Sequence, residues 1–491
     1  MKTMTRLMLP VCLVLVLGAW PAAGQPQAAG PALATRPKVA AALEVVRVWL
    51  DAQRDYDQIP GLSAAVVHGQ EVLWAGGIGY ADPSARRPAD ADTIYSICSI
   101  SKLFTSIAVM QQRDAGRLRL DDPVKTHLPW LDIQETAPES GPATIEGLLT
   151  HASGLPRESD QAYWTGPAFS FPTRDEIIAG LKRQKTLYPA ETYFQYSNLG
   201  LTLAGEVAAA AAGQPYSSLV QSRILDPLAL YGTFPDMPEE QRGKRLATGH
   251  GALGRDGTRT AMPFFQAKGI APAAGYASTA TDLARFASWQ FRLLAKGGTE
   301  VLNANTLREM QRVHWVDPNF ETTWGLGFSV WRNNGKTFVG HGGSCPGFRS
   351  QLLLKTDERV ATVFLANAQG VDASRFAQGI YDLVAPAIKE AAKPDAPAPK
   401  PVDDSLAAYL GSYATGFSGE VAFVRWEDGL ASLSLPTTNP VDAITKWKST
   451  GTHTFRRIRK DEALGEEIVF TLGADGKATH LTWHSNVYRR R

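Results

Sequence analysis

Apolar residues recur every three or four positions through PKVAAALEVVRVWLDAQRDY, which predicts a helix from Pro37 to Tyr56. GLSAAVVHG (Gly61 to Gly69) and EVLWAGGIGYAD (Glu71 to Asp82) are apolar runs split by a polar break, as two strands of a hairpin would be. A second apolar helix begins near Ser99 and runs to Asp114, with Gly116 ending it. From about Leu120 to Phe264 the pattern is helical segments between Pro/Gly loops. Four β-rich runs follow between Gly325 and Asn367, and Asn334-Gly335 marks a tight turn between the first two. A last helical pattern covers Ala373 to Ala392. Helix and strands at both ends with helices between predict an α/β (α+β) fold: an antiparallel sheet flanked by helices, with an inserted all-helical domain.

Beyond this region the pattern changes. Residues 393–402 are a Pro/Ala linker, semi-rigid by composition. From 403 to 491 strand-like runs alternate with turns, predicting a small C-terminal all-β domain of a size that can fold alone. Its role is open among shielding a cleft, binding a partner and stabilising the chain. At the other end, Lys2 and Arg6 precede a short apolar run to Trp20 and then PAAGQ. That is the pattern of a signal peptide over residues 1–24, too short for a comfortable membrane span. The expectation is export to the periplasm or medium, with no stable membrane insertion after cleavage and a main domain over 25–392. An uncleaved anchor is the alternative.

The net charge of +2 in 491 residues gives no electrostatic footprint for nucleic acid. Nine histidines show no metal-ligand spacing, and no dinucleotide fingerprint occurs, so neither metal nor organic cofactor is expected. Three cysteines are too few for a disulfide-built scaffold, and Cys12 would leave with the leader.

Candidate chemistry begins in SICSISKLFTSIAVM. Ser99 and Lys102, at i and i+3, share a helical face, so an amine can activate a hydroxyl there. The plainer reading is a helix cap at Ser99 and a solvated Lys102. In TYFQYSNLGLTLAGEV, Tyr196 and Asn198 can point the same way into a cleft, or serve as core aromatic and helix cap. FVGHGGSCPGF then sets His341, Gly343 and Ser344 at a strand edge, where paired glycines admit another backbone.

S-x-x-K, Y-S-N and H-G-G, in this order, resemble the serine β-lactamase and penicillin-binding-protein superfamily, and within it the class C β-lactamase-like branch with its esterases and D-aminopeptidases. GYADPSARRPADADTIYSICSISK, LDDPVKTHLPWLD, TIEGLLTHASGLP and GYASTATDLARFA agree with that branch. The likeness runs from about Val39 to Ala392. It implies a serine hydrolase in which Ser99 is the acylated nucleophile, with Lys102 and Tyr196 jointly moving protons. It further implies Asn198, His341 and Gly343 as substrate-binding positions, and the backbone N–H groups of Ser99 and Ser344 as the oxyanion hole. The substrate would be a small molecule or peptide carrying an ester, amide or β-lactam carbonyl. The rival is a catalytically silent binding or sensor protein on the same fold.

One departure bears on substrate. The third motif of true β-lactamases usually begins with lysine, whose charge helps hold the substrate carboxylate. Here it is His341, mostly neutral at pH 7 by its ordinary pKa of about 6.5. An esterase or peptidase is therefore favoured over a β-lactamase, and preference for anionic substrates is expected to grow as pH falls from 8 to 5. Convergence of Ser99 and Ser344 on one oxyanion would bring Cys98 and Cys345 together, which predicts a disulfide across the site. His151, within THASGLP, reads as structural. The aromatic stretches at 162–164 and 263–266 are either pocket walls or loop packing.

Overall fold

The computed structural model describes residues 32–393, 404–427 and 429–491. The expected leader, and the linker beyond Lys393, lie outside them. The main elements are α1 (Pro37–Tyr56), β1 (Gly61–His68), β2 (Glu71–Asp82), α2 (Ser101–Asp114), α3 (Asn198–Ala212), α4 (Ala280–Lys296), β3 (Ser329–Asn333), β4 (Lys336–Cys345), β5 (Phe348–Lys355), β6 (Val360–Ala366) and α5 (Ala373–Ala391).

The strands form one antiparallel sheet in the order β2-β1-β6-β5-β4-β3, with two-residue strands extending both edges. Leu62 pairs with Ala366 and Leu352 with Val363, so the two ends of the domain meet at the centre of the sheet. Asn334 and Gly335 turn the β3–β4 hairpin with φ of 48° and 75°, the left-handed pair that a two-residue turn between twisted strands requires.

β1 and β6 are buried nearly throughout, because helices cover both faces of the sheet. Leu62, Ala64, Val66 and Phe364 face α1 and α5; Ala65, Val67, Val363 and Leu365 face α4 and the helical insertion. The period-two alternation is intact, yet both alternating sets are apolar, so the strands read as continuous hydrophobic runs. Among the described residues, no helix is long and apolar enough to cross a membrane.

The C-terminal residues form a closed eight-stranded barrel from Gly411 to Arg490, sealed where Tyr413 pairs with Arg490. Tyr413, Phe423, Trp447, Phe455 and Phe470 fill its interior. The barrel does not stand apart. Ala422, Val424, Ala431 and Leu433, on the outward faces of Glu420–Trp426 and Gly429–Leu435, join the core formed with α1. Polar bonds reinforce this seam: Trp49 Nε1 donates to Thr437 O at 3.1 Å, and Gln53 Oε1 accepts from Thr437 N at 3.0 Å.

Candidate active site

Ser99 stands on a 3-10 turn, Cys98–Ile100, that leads into α2. It caps no helix: neither the turn nor α2 has a side-chain cap bond. Nor is Lys102 solvated; it is completely buried. Its Nζ lies 3.2 Å from Ser99 Oγ, 2.8 Å from Asn198 Oδ1 and 2.8 Å from the carbonyl oxygen of Ala273. Burial pulls the Lys102 pKa down to about 7, partly opposed by the Glu158 carboxylate. An ordinary ammonium would be fully charged at that pH; here neutral and charged forms coexist.

Tyr196 completes the cluster. Its ring lies 4.8 Å from Lys102 Nζ and 4.9 Å from the Arg157 guanidinium. Burial raises its phenol pKa, and a hydrogen bond with Ser99 works the other way. The phenol is therefore a proton holder at neutral pH. His151 packs on its ring at 4.3 Å between centroids, and His151 Nδ1 accepts from the N–H of Ser197 at 3.0 Å. Burial keeps His151 neutral, so it acts as a support for the Tyr196 segment.

Ser197, and not Asn198, caps α3, accepting from Gly200 N at 2.8 Å. Freed from capping, the Asn198 side chain turns to Lys102. The segment 151–158 fastens this corner: Ser197 Oγ donates to Pro156 O at 2.6 Å, and Asn198 N to Arg157 O at 2.7 Å.

β4 reaches the cluster from the far end of the sequence. A Cβ at Gly343 would collide with the Ile97 carbonyl oxygen and Ser350 Oγ, and would stand 3.0 Å from Cys98 Cβ. Only a glycine lets this strand lie against the turn that carries Ser99. Ser99, Tyr196, Asn198, His341, Gly343 and Ser344 thus line one cleft of about 880 Å³. Among the described residues, none from the barrel lines it.

Two expectations change here. Cys98 and Cys345 are free thiols, both buried, and no disulfide joins them. They are close enough to influence each other's ionisation, while their sulfurs lie 3.7 Å and 3.6 Å from the carbonyl oxygens of Ser96 and Ala274. Adjacency was correctly inferred; oxidation was not. His341 is buried, its Nδ1–H donating to Gly342 O at 2.6 Å and its Nε2 without a partner. Burial and the nearby Lys102 charge push its pKa down to about 3. It does not titrate between pH 5 and 8, so the expected growth of anion preference over that range is withdrawn.

Of the aromatic stretches, Trp164 lines the cleft, as does Met262, whereas Phe265 packs on Phe171 at 5.3 Å and Phe264 beneath Arg242 at 4.8 Å. Sequence reasoning missed Arg157 and Glu158, which directly follow the THASGLP landmark and line the cleft. Among the described residues, no group of three or more His, Cys, Asp or Glu side chains is placed to hold a metal ion.

Several known proteins share the sequence pattern and the fold of this chain. Penicillin-binding protein 4 of Amycolatopsis lactamdurans is 29% identical over 374 residues, 74% of this chain and 95% of that protein. Beta-lactamase-like protein 2 of Dictyostelium discoideum is 26% identical over 318 residues, 62% of this chain but 56% of that protein, so the match spans little more than half of it. The solved octameric penicillin-binding protein homologue from Pyrococcus abyssi superposes with a TM-score of 0.61 at 21% identity, covering 91% of this chain and 99% of that one. A D-stereospecific amidohydrolase from Streptomyces sp. gives 0.56 at 24% identity, covering 68% and 97%. Both structures share the fold. The profile of the family described as Beta-lactamase matches residues 47–386, more than half of the sequence, and the chain belongs to that family.

Proposed function

We propose that this chain is a serine hydrolase that opens an ester or amide carbonyl through an acyl-enzyme on Ser99. The observation that carries the reading is the environment of Lys102: a fully buried amine of pKa about 7, 3.2 Å from Ser99 Oγ. A neutral amine has two N–H donors and one lone pair. Asn198 Oδ1 and Ala273 O take the two donors, which leaves the lone pair for the Ser99 hydroxyl.

Ser99 Oγ then bonds to the substrate carbonyl carbon as its proton passes to Lys102 Nζ. The backbone N–H groups of Ser99 and Ser344 receive the oxyanion. Tyr196, neutral because burial raises its pKa, gives its proton to the leaving group and regains one from the Lys102 ammonium. Water, activated by the same pair, releases the acid. The neutral His341 offers no fixed charge for a substrate carboxylate, which favours an esterase or peptidase over a β-lactamase. The signal pattern over 1–24 supports a periplasmic or secreted site of action.

Incubation with a fluorophosphonate or a labelled penicillin, followed by intact mass, tests this. A single covalent increment is expected, and it should vanish in Ser99→Ala. No increment with any acyl donor would favour the silent binding protein. A second expected result concerns His341. The ratio of kcat/KM for an anionic over a neutral ester should stay flat from pH 5 to 8. Lys102 protonation affects both substrates equally and cancels, so a ratio that rises as pH falls would mean that His341 titrates after all.

A further inference from the structure

The amide of Asn198 stands between two groups that differ in what they accept. On one side Lys102 Nζ lies 2.8 Å from Oδ1. On the other, the Glu158 carboxylate accepts from Nδ2 at 2.8 Å and 3.1 Å. An ionised carboxylate only accepts, so it can bind only the NH2 side of the amide. Asn198 is buried, with 3% of its surface exposed, and little water can satisfy it in the opposite orientation. Glu158 is itself held in place: Tyr163 Oη donates to Oε2, and Arg157 Nε lies 3.2 Å from Oε1.

We infer that Glu158 is a positioning residue: by accepting from the Asn198 NH2 group with both carboxylate oxygens it fixes the amide oxygen toward Lys102, leaving the Lys102 nitrogen one open valence, toward Ser99. This rests on the acyl-enzyme reading above. With the amide reversed, its NH2 would point at Nζ and contend with Ser99 for the lone pair. Glu158 need not touch substrate for this role.

The charges around Lys102 set the test. Glu158 and Arg157 approach from the loop after THASGLP, the Cys98 and Cys345 thiols from the turn of Ser99 and from β4, and the His151 and His341 rings lie 4.3 Å and 6.3 Å from that of Tyr196. Both histidines are held neutral by burial. Glu158 favours the ammonium and Arg157 disfavours it.

The experiment is kcat/KM for a neutral aryl ester from pH 5 to 9 in the full chain, for wild type, Glu158→Gln and Glu158→Asp. Glutamine can present either oxygen or NH2 to Asn198, so the amide is no longer locked. The plateau rate in Glu158→Gln should fall roughly 10²-fold. The acid limb should move down by about one pH unit, because a charge that favoured the ammonium is gone. Glu158→Asp keeps the charge and should keep the limb near its wild-type position with an intermediate rate. An unmoved limb with only KM raised would make Glu158 a substrate contact and overturn the inference. So would a limb in Glu158→Asp displaced as far as in Glu158→Gln. Failure of the wild type to be acylated at Ser99 would overturn the underlying reading instead, and intact mass reports that separately.

Discussion

Replacing Lys102 with methionine is expected to lower kcat/KM for a neutral ester roughly 10³-fold, within the range that a positioned acid–base group contributes. Methionine fills much of the same buried volume, so the loss should come from chemistry more than from packing. Lys102→Arg separates two explanations. Arginine keeps the charge and the donors to Asn198 and Ala273 but cannot give up its proton near neutral pH. It should be as inactive as methionine. An active Lys102→Arg would show that Lys102 serves only as a hydrogen-bond donor. In the wild type the rate should rise with pH through about 7, since the protonated amine has no lone pair below that value and the free amine dominates above it. A rate that is flat across this range would contradict the assignment of Lys102 as proton acceptor.

Gly343→Ala is expected to reduce kcat roughly 10²–10³-fold, the scale of losing one oxyanion donor. The added methyl group meets the Ile97 carbonyl oxygen and Ser350 Oγ, so β4 must retreat from the turn holding Ser99. On the proposed mechanism, the oxyanion would then lose the Ser344 N–H as a partner to that of Ser99. Gly342 supplies the control. A Cβ there meets the end of the flexible Gln351 side chain at 2.7 Å, which can swing aside. Gly342→Ala should therefore retain most of the activity. Steady-state kinetics with thermal melts on both variants would check this, and equal kcat losses would deny the special role of the Gly343 contact.

The sheet and α2 were legible because each depends on a short periodic pattern. Asn334-Gly335 announced its hairpin for the same local reason. Ser99 and Lys102 could be paired from their spacing, but the burial of Lys102 could not, since the groups around its nitrogen come from Asn198 and Ala273. His341 failed in a similar way. Its residue type was plain, whereas its depressed pKa comes from burial and from Lys102, far away in sequence. Glu158 looks like one more solvated acid in PRESD, and its contact with Asn198 spans 40 residues. The neighbouring Cys98 and Cys345 followed correctly from the site, but their proximity did not imply a bond. In the C-terminal region the strands were readable. Barrel closure and the seat on α1 were not, because Ala422 and Val424 look the same whether they face an interior or a helix.

The pairing of Leu62 with Ala366 has a consequence for biosynthesis. A ribosome adding roughly 5–20 residues per second makes β6 about 15–60 s after β1. Throughout that interval the nascent hairpin of β1 and β2 lacks its central neighbour and presents apolar side chains on both faces. The helical insertion, contiguous in sequence, can collapse first, while the sheet waits for its distant strand. The yield of folded protein is therefore expected to rise when a holding chaperone or high dilution protects that unfinished hairpin.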